Sequence, residues 1–297
     1  MAATGKRAPV HVRRSWCFVE GANGDALSEA AASGADVLIQ ELEDFTPPAR
    51  RPHARAVSPE VIGRWKAAGI VAAVRVNPLD DGGLDDLEAV MRGAPDAILL
   101  PKVNDAEQIM ALDDTVSALE ERNGIVAGST ELVPNIELAR GLLNTFSICR
   151  ASPRVSACLV ASEDMAADLG AERSPGGGEL DYVRARFHLE CVAAGVMSID
   201  RPYTWADTVG VEADCLAAHR LGYSAKSAVR TEHAAIINRV LTPSAEEIVR
   251  ARRLVEAFES AQAAGQARVE VDGSLVEVPI YLNARRLLER AAQLGIV

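Results

Sequence analysis

The chain is 297 residues long, 48% hydrophobic and 25% charged, with a formal net charge of -11. That is chain enough for one large core and the composition of a soluble enzyme, while so acidic a balance offers no basic face for a phosphate backbone and excludes nucleic-acid binding. No apolar run approaches the about 18–20 residues of a membrane span, and the N-terminal MAATGKRAPVHVRR lacks the apolar centre of a secretion signal.

Residues 1–12 read as a loose leader. Residues 14–19 are a first strand ending at Glu20-Gly21, and residues 25–33 a helix stopped by Gly34. A second strand over 37–39 leads into Glu41-Leu42-Glu43-Asp44. Pro47 and Pro48 then break the chain before a basic helix carrying Arg50, Arg51 and Arg55. The third strand, 70–76, ends in Arg75-Val76-Asn77-Pro78. Gly82-Gly83 is a turn and 84–91 a helix. The fourth strand, 97–100, delivers Pro101-Lys102, and Asp105 caps a helix running to about Arg122.

Residues 133–136 and 157–160 are the fifth and sixth strands, short apolar runs of the kind buried on both faces. The first ends in Glu137; the second is followed by Glu163 and Asp164. A helix over 179–194 stops at Gly195, and a seventh strand over 196–199 ends in Asp200. A helix over 211–221 stops at Gly222, and residues 224–229 are a weak eighth strand.

Glu43, Arg75, Lys102, Glu137, Asp164, Asp200 and Arg230 thus stand at strand ends, 27–36 residues apart. A strand–helix unit of a closed parallel barrel takes roughly 30 residues. The fold class is therefore α/β, a (β/α)8 TIM barrel over residues 1–243 with a C-terminal helical and hairpin extension over 244–297. A doubly wound open sheet is the alternative, but neither GxGxxG nor GxxxxGK[ST] is present, and Gly176-Gly177-Gly178 reads as a loop. In the extension, Ser244 and Glu247 form a capping box opening a long helix. Residues 267–281 alternate around Asp272-Gly273 as a hairpin, and a helix over 283–294 closes the chain. This tail is expected to fold over the barrel mouth or to pack on another subunit.

Side chains just past the C-terminal ends of parallel strands converge on one face, where ligands bind. Glu137 and Asp164 placed there suit a hard divalent cation whose shell is completed by water and substrate oxygens. Arg75 offers a permanent planar charge for a substrate carboxylate or a developing oxyanion, or else an internal ion pair. Lys102 reads as electrostatic rather than as a Schiff-base nucleophile. No histidine stands at a strand end among these acids, and no zinc triad or Ser-His-Asp order is visible. The five scattered cysteines, without a CxxC pair, read as buried reduced thiols in a cytoplasmic setting.

Seven segments taken together resemble the HpcH/HpaI aldolase and citrate lyase family, in its citrate lyase β-subunit-like branch. They are Arg14-Ser-Trp-Cys-Phe-Val-Glu-Gly21, Glu41-Leu-Glu-Asp44 with Pro48 and the following arginines, Arg75-Val-Asn77, and Leu100-Pro-Lys102. Ile136-Glu-Leu-Ala-Arg-Gly141, Glu163-Asp-Met-Ala-Ala-Asp-Leu-Gly170, and Ile236-Ile-Asn238 with Pro243-Ser244 complete the set. The resemblance implies a cytoplasmic, magnesium-dependent barrel, with Mn2+ as the alternative ion, that makes or breaks a carbon–carbon bond as a homotrimer or hexamer. Glu137 and Asp164 fall on its metal ligands, Arg75 on its substrate-carboxylate arginine, and Glu43 and Asp44 on acids near the metal's waters. Arg14 and Lys102 join Arg75 as substrate-binding candidates. The general base stays open among Glu41, Glu43, Asp44 and a metal-bound water. The family's usual Ile-His-Pro-Ser-Gln segment reads Val229-Arg-Thr-Glu-His233 here, so a CoA thioester substrate is one option. A CoA-independent aldolase on a small hydroxy acid and a non-catalytic acid-binding or assembly subunit are the others.

Overall fold

A computed structural model describes residues 7–297, so the first six residues of the leader lie outside the described residues. The chain divides into two compact units, the second being Val240–Val297. In the first, β1 (Ser15–Glu20), β2 (Val37–Glu41), β3 (Val71–Arg75), β4 (Ala97–Leu100), β5 (Glu131–Ile136), β6 (Ala157–Val160), β7 (Met197–Asp200) and β8 (Ala225–Ala228) pair in chain order, all parallel. β8 closes on β1, so the sheet is a barrel and the open-sheet alternative falls.

Every second side chain points to the barrel axis. Trp16, Phe18, Val37, Ile39, Val71, Ala73, Ala97, Leu99, Val133, Ala157, Leu159, Ile199 and Ala225 pack there as one buried cluster, so the interior is solid core and not a channel. Glycines in left-handed conformation stop the connecting helices: Gly124 after Ala106–Asn123, Gly195 after Asp181–Ala194, and Gly222 after Thr208–Leu221. Asp105 caps the first of these in a full capping box with Gln108.

The described part of the leader is not loose. Arg13 forms a two-armed ion pair with Glu131 at 2.7 and 2.9 Å, and Arg7 reaches the same carboxylate at 3.0 Å. Ala8 and Val10 pack against the barrel core from that side. The segment closes the barrel at the N-terminal ends of its strands.

In the second unit, the helix Ala245–Ala263 carries the expected Ser244–Glu247 capping box. Strands Val269–Val271 and Ser274–Val276 make an antiparallel hairpin, and Asp272 and Gly273 take φ of 53° and 72°, the pair of positive angles a tight hairpin turn requires. The last helix is Val278–Gln293, several residues earlier than its apolar pattern indicates, with Pro279 in its first turn. Proline is preorganised for that position because its missing N–H has no helical acceptor there. Phe258 and Tyr281 stack with ring centroids 4.8 Å apart, joining the two helices of this unit. No helix among the described residues is long and apolar enough to cross a membrane.

Candidate active site

The register aligns Glu41 of β2 with Arg75 of β3, so both end on the inner side of the rim. Arg75 donates from Nε to Glu41 at 3.0 Å and from Nη2 to the other oxygen at 2.9 Å. Its remaining arm reaches Glu137 at 3.3 Å, and Nη2 also lies 3.1 Å from Glu43. The guanidinium carbon sits 5.0 Å from the ring of Phe18 and 5.9 Å from that of Phe45. An arginine held by a planar fork and by aromatic faces loses little further freedom on binding an anion. Its pKa is raised: Glu41, Glu137 and Glu43 outweigh the burial that acts to lower it.

Glu41 is fully buried, and its two oxygens also accept the backbone N–H groups of Glu43 and Phe45. With every lone pair engaged it anchors the loop and cannot serve as a base. Gly21 is what lets β1 pass this corner, since a Cβ there would stand 2.2 Å from the Glu41 carbonyl oxygen. Glu43 is ion-paired to Lys102, and burial is the largest cause of its raised pKa. Lys102 has a φ of 53°, a left-handed backbone that costs a non-glycine residue roughly 1–2 kcal/mol. That strain aims its ammonium at Glu43 and, 3.4 Å away, at Asp44. Burial works to lower the Lys102 pKa, but the two acids raise it, so the amine is held protonated and is no nucleophile.

Glu137 follows β5 directly. It is fully buried, and its Oε2 has no hydrogen-bond partner. Burial, with Glu43 and Asp164 adding to it and Arg75 opposing it, pushes its pKa up to about 8. Asn135, two residues earlier and so on the same inward face, is likewise fully buried with neither amide atom partnered. Asp164 stands in the first turn of the helix Glu163–Leu169, after the neighbouring strand β6. A cavity of ≈ 370 Å³ opens over this set, lined among others by Phe18, Asp44, Phe45, Arg75, Leu159 and Asp164.

The structure therefore brings together Glu43, Asp44, Arg75, Lys102, Glu137 and Asp164. Arg14 stays out. It precedes β1, at the opposite end of the barrel, where its guanidinium and backbone N–H bind Asp36 at 2.7–3.0 Å, so it does not bind substrate at this site. Asp200 is also turned away: Ile199 faces the core, so its neighbour faces the helices. There Asp200 accepts from Arg184 and Lys226, while Asp214 takes Arg184, Arg201 and Lys226. Burial raises the Asp200 pKa, yet Lys226, Arg184 and Arg201 hold it down to about 2. Arg230 pairs with Glu232. Phe18 and Phe45 are the participants that sequence reading passed over; the inward parity of Phe18 on β1 was the available signal for the first.

The family model for HpcH/HpaI aldolase/citrate lyase matches residues 14–231. The chain is 33% identical over 301 residues to the citrate lyase subunit beta of Escherichia coli strain K12, covering 100% of this chain and 99% of that one. It is 31% identical over 283 residues to a (3S)-malyl-CoA thioesterase of Cereibacter sphaeroides, covering 95% of each. Among solved structures, the CitE protein of Mycobacterium tuberculosis in complex with magnesium, acetoacetate and coenzyme A shares the fold, with a TM-score of 0.76 at 24% identity over 94% of this chain and 98% of that one.

Proposed function

The chain belongs to the HpcH/HpaI aldolase/citrate lyase family, and on that premise we propose that it is a magnesium-dependent carbon–carbon lyase acting on a β-hydroxyacyl-CoA. The observation that carries this reading is the unpartnered, fully buried Oε2 of Glu137 beside a charged Arg75. A buried acid oxygen left without a donor is costly unless a ligand completes it. Hard carboxylate oxygens on adjacent strand ends suit Mg2+, or Mn2+, so Glu137 and Asp164 would hold the ion. Bound there, it would supply a Lewis acid for the oxygens that gain charge.

The chain's own residues account for the rest. Arg75, fixed by both oxygens of Glu41, presents a preorganised cation to the carboxylate of the 2-oxo acid half of the substrate. Phe18, Phe45 and Leu159 give that half a dry wall. In cleavage, the hydroxyl proton leaves to a carboxylate. The electron pair of the broken carbon–carbon bond passes to the thioester carbonyl, and the resulting enolate takes a proton. The products are a shorter acyl-CoA and a 2-oxo acid, and synthesis is the same sequence reversed. Of the three acids after β2, Glu41 is saturated and Glu43 is clamped between Arg75 and Lys102. Asp44 lines the cavity with its side chain 49% exposed, and we assign the proton transfer to it. The Lys102 ammonium, 3.4 Å from the Asp44 carboxylate, holds that side chain at the edge of the cavity.

The reading is tested by turnover of malyl-type CoA esters and of the matching free acids, with Mg2+ and after chelation. Thioester cleavage that stops on chelation supports it. Turnover of the free acids alone supports a CoA-independent aldolase instead, the reading favoured by the 229–233 segment, where Arg230 is engaged by Glu232 and His233 is fully buried. Heat of binding with no product under any metal would leave an acid-binding subunit.

A further inference from the structure

Behind β6, on the side away from the proposed active site, three cysteines meet. Ala157 and Leu159 face the barrel core, so Cys158 between them points outward to the helical layer. Cys149, at the end of the helix Thr145–Cys149, and Cys191, in the helix Asp181–Ala194, close on it. The three sulfurs all lie within 4.8 Å of one another, and all three residues are buried. Among the described residues, no other set of three histidine, cysteine or acidic ligands is so close. The Cys158 thiol donates to the carbonyl oxygen of Pro134 at 3.3 Å, a proton that ligation of a cation by its sulfur would displace. A second cavity, of ≈ 380 Å³ and lined by Cys149, Arg150, Ser152 and Gly195 among others, gives the cluster a way in.

We propose that Cys149, Cys158 and Cys191 form a three-sulfur site for a soft, thiophilic ion of the Cu(I) class. Three points no farther apart than 4.8 Å all lie within about 2.8 Å of a common centre, and a metal–thiolate bond is about 2.3 Å. Closure therefore moves each sulfur by no more than about half an ångström. All-sulfur donors select soft ions over magnesium-like ones. The nearest acid, Glu190, is not available as a hard fourth ligand. Its oxygens are taken by Arg186 at 3.0 Å and by the backbone N–H of Phe146 at 3.0 Å. Three sulfurs and no carboxylate ligand match the trigonal shell of a monovalent soft ion. Thiols lose protons on ligation, so uptake acidifies the medium.

The test is anaerobic titration of the full chain, kept reduced, against a coloured Cu(I) chelator. The wild type is expected to withdraw one equivalent, to develop sulfur-to-copper charge-transfer absorption and to release protons. Cys149→Ser and Cys158→Ser should each lose that equivalent, while the C17A/C215A double variant, which changes the two cysteines outside the cluster, keeps it. Withdrawal of no copper by the wild type overturns the proposal, as does an equivalent retained by a C149S/C158S double variant. Should the serine variants fail to fold, the wild type decides alone. Bound Cu(I) must protect Cys149 from alkylation under native conditions, and alkylation at an unchanged rate refutes the site.

Discussion

The rim cluster around Arg75 and the wall network around Lys226 are built from the same kinds of side chain on the same barrel, the wall buried throughout and the rim opening to solvent at Asp44 and Lys102. In the wall, Arg184, Arg201 and Lys226 face Asp200 and Asp214, so every acid oxygen has a cation, and the Asp200 carboxyl is held down to about 2. At the rim, Arg75 and Lys102 face Glu41, Glu43, Asp44, Glu137 and Asp164, and the Glu137 carboxyl is pushed up to about 8. Matched charges tie β7 and β8 to the helices outside them. Surplus acid at the rim is an unsatisfied arrangement, which a fold retains where a ligand completes it.

The contrast breaks if Glu137→Gln is harmless. The expected result is a loss of metal-dependent turnover on the order of 10²–10³-fold, the scale of losing a charge stabiliser in the site, with a melting temperature equal to or above the wild type. Retained kcat/KM would overturn the metal assignment, and a collapsed melt would make Glu137 a structural acid. In the wall the pattern inverts. Lys226→Met leaves Asp200 short of a partner and should cost about 3–5 kcal/mol in denaturant unfolding, with kcat per folded molecule unchanged. Asp44→Asn should lower kcat by roughly 10²-fold, with little change in stability. An unaltered kcat would move the proton transfer to another group.

Acid titration sharpens the comparison further. Against burial, Lys226, Arg184 and Arg201 hold the Asp200 carboxyl down to about 2, below the ordinary aspartate range. Its contribution is therefore complete above about 4 and disappears as pH falls through about 2, a change of about 2 kcal/mol. Equilibrium unfolding across that window should show a smaller loss in Asp200→Asn than in the wild type, the remainder belonging to acids such as Glu120 and Glu179 that are likewise held low. The smallest effect belongs to Arg14→Ala, at the far end of the barrel. It should cost at most about 1 kcal/mol and leave KM unchanged, whereas a raised KM would return Arg14 to the substrate.

What was legible before the structure follows from periodicity. Strand ends recurring every 27–36 residues record a repeated unit, and repetition survives errors at any one element. The strand-end acids Glu137 and Asp164 were visible for the same reason. Orientation within a strand end was less visible. Position along the chain alone puts Asp200 at the rim; its strand parity puts it outside, since Ile199 before it faces inward. The clamp on Arg75 was hidden because it depends on which oxygens of Glu41 the backbone of its own loop already occupies. The cysteine trio was invisible because Cys149, Cys158 and Cys191 belong to two helices and a strand, and only the packing of helices on the barrel wall brings them together.

The plugged lower end of the barrel has a kinetic consequence. With Arg7, Ala8, Val10 and Arg13 sealing one end and a solid core between, the rim is the face by which ligands of the proposed reaction reach the cavity. On the proposed cleavage, the fragment held deeper, against Arg75, leaves after the other. Inhibition by one product should then be competitive with the incoming substrate, and by the other noncompetitive, the signature of an ordered exit.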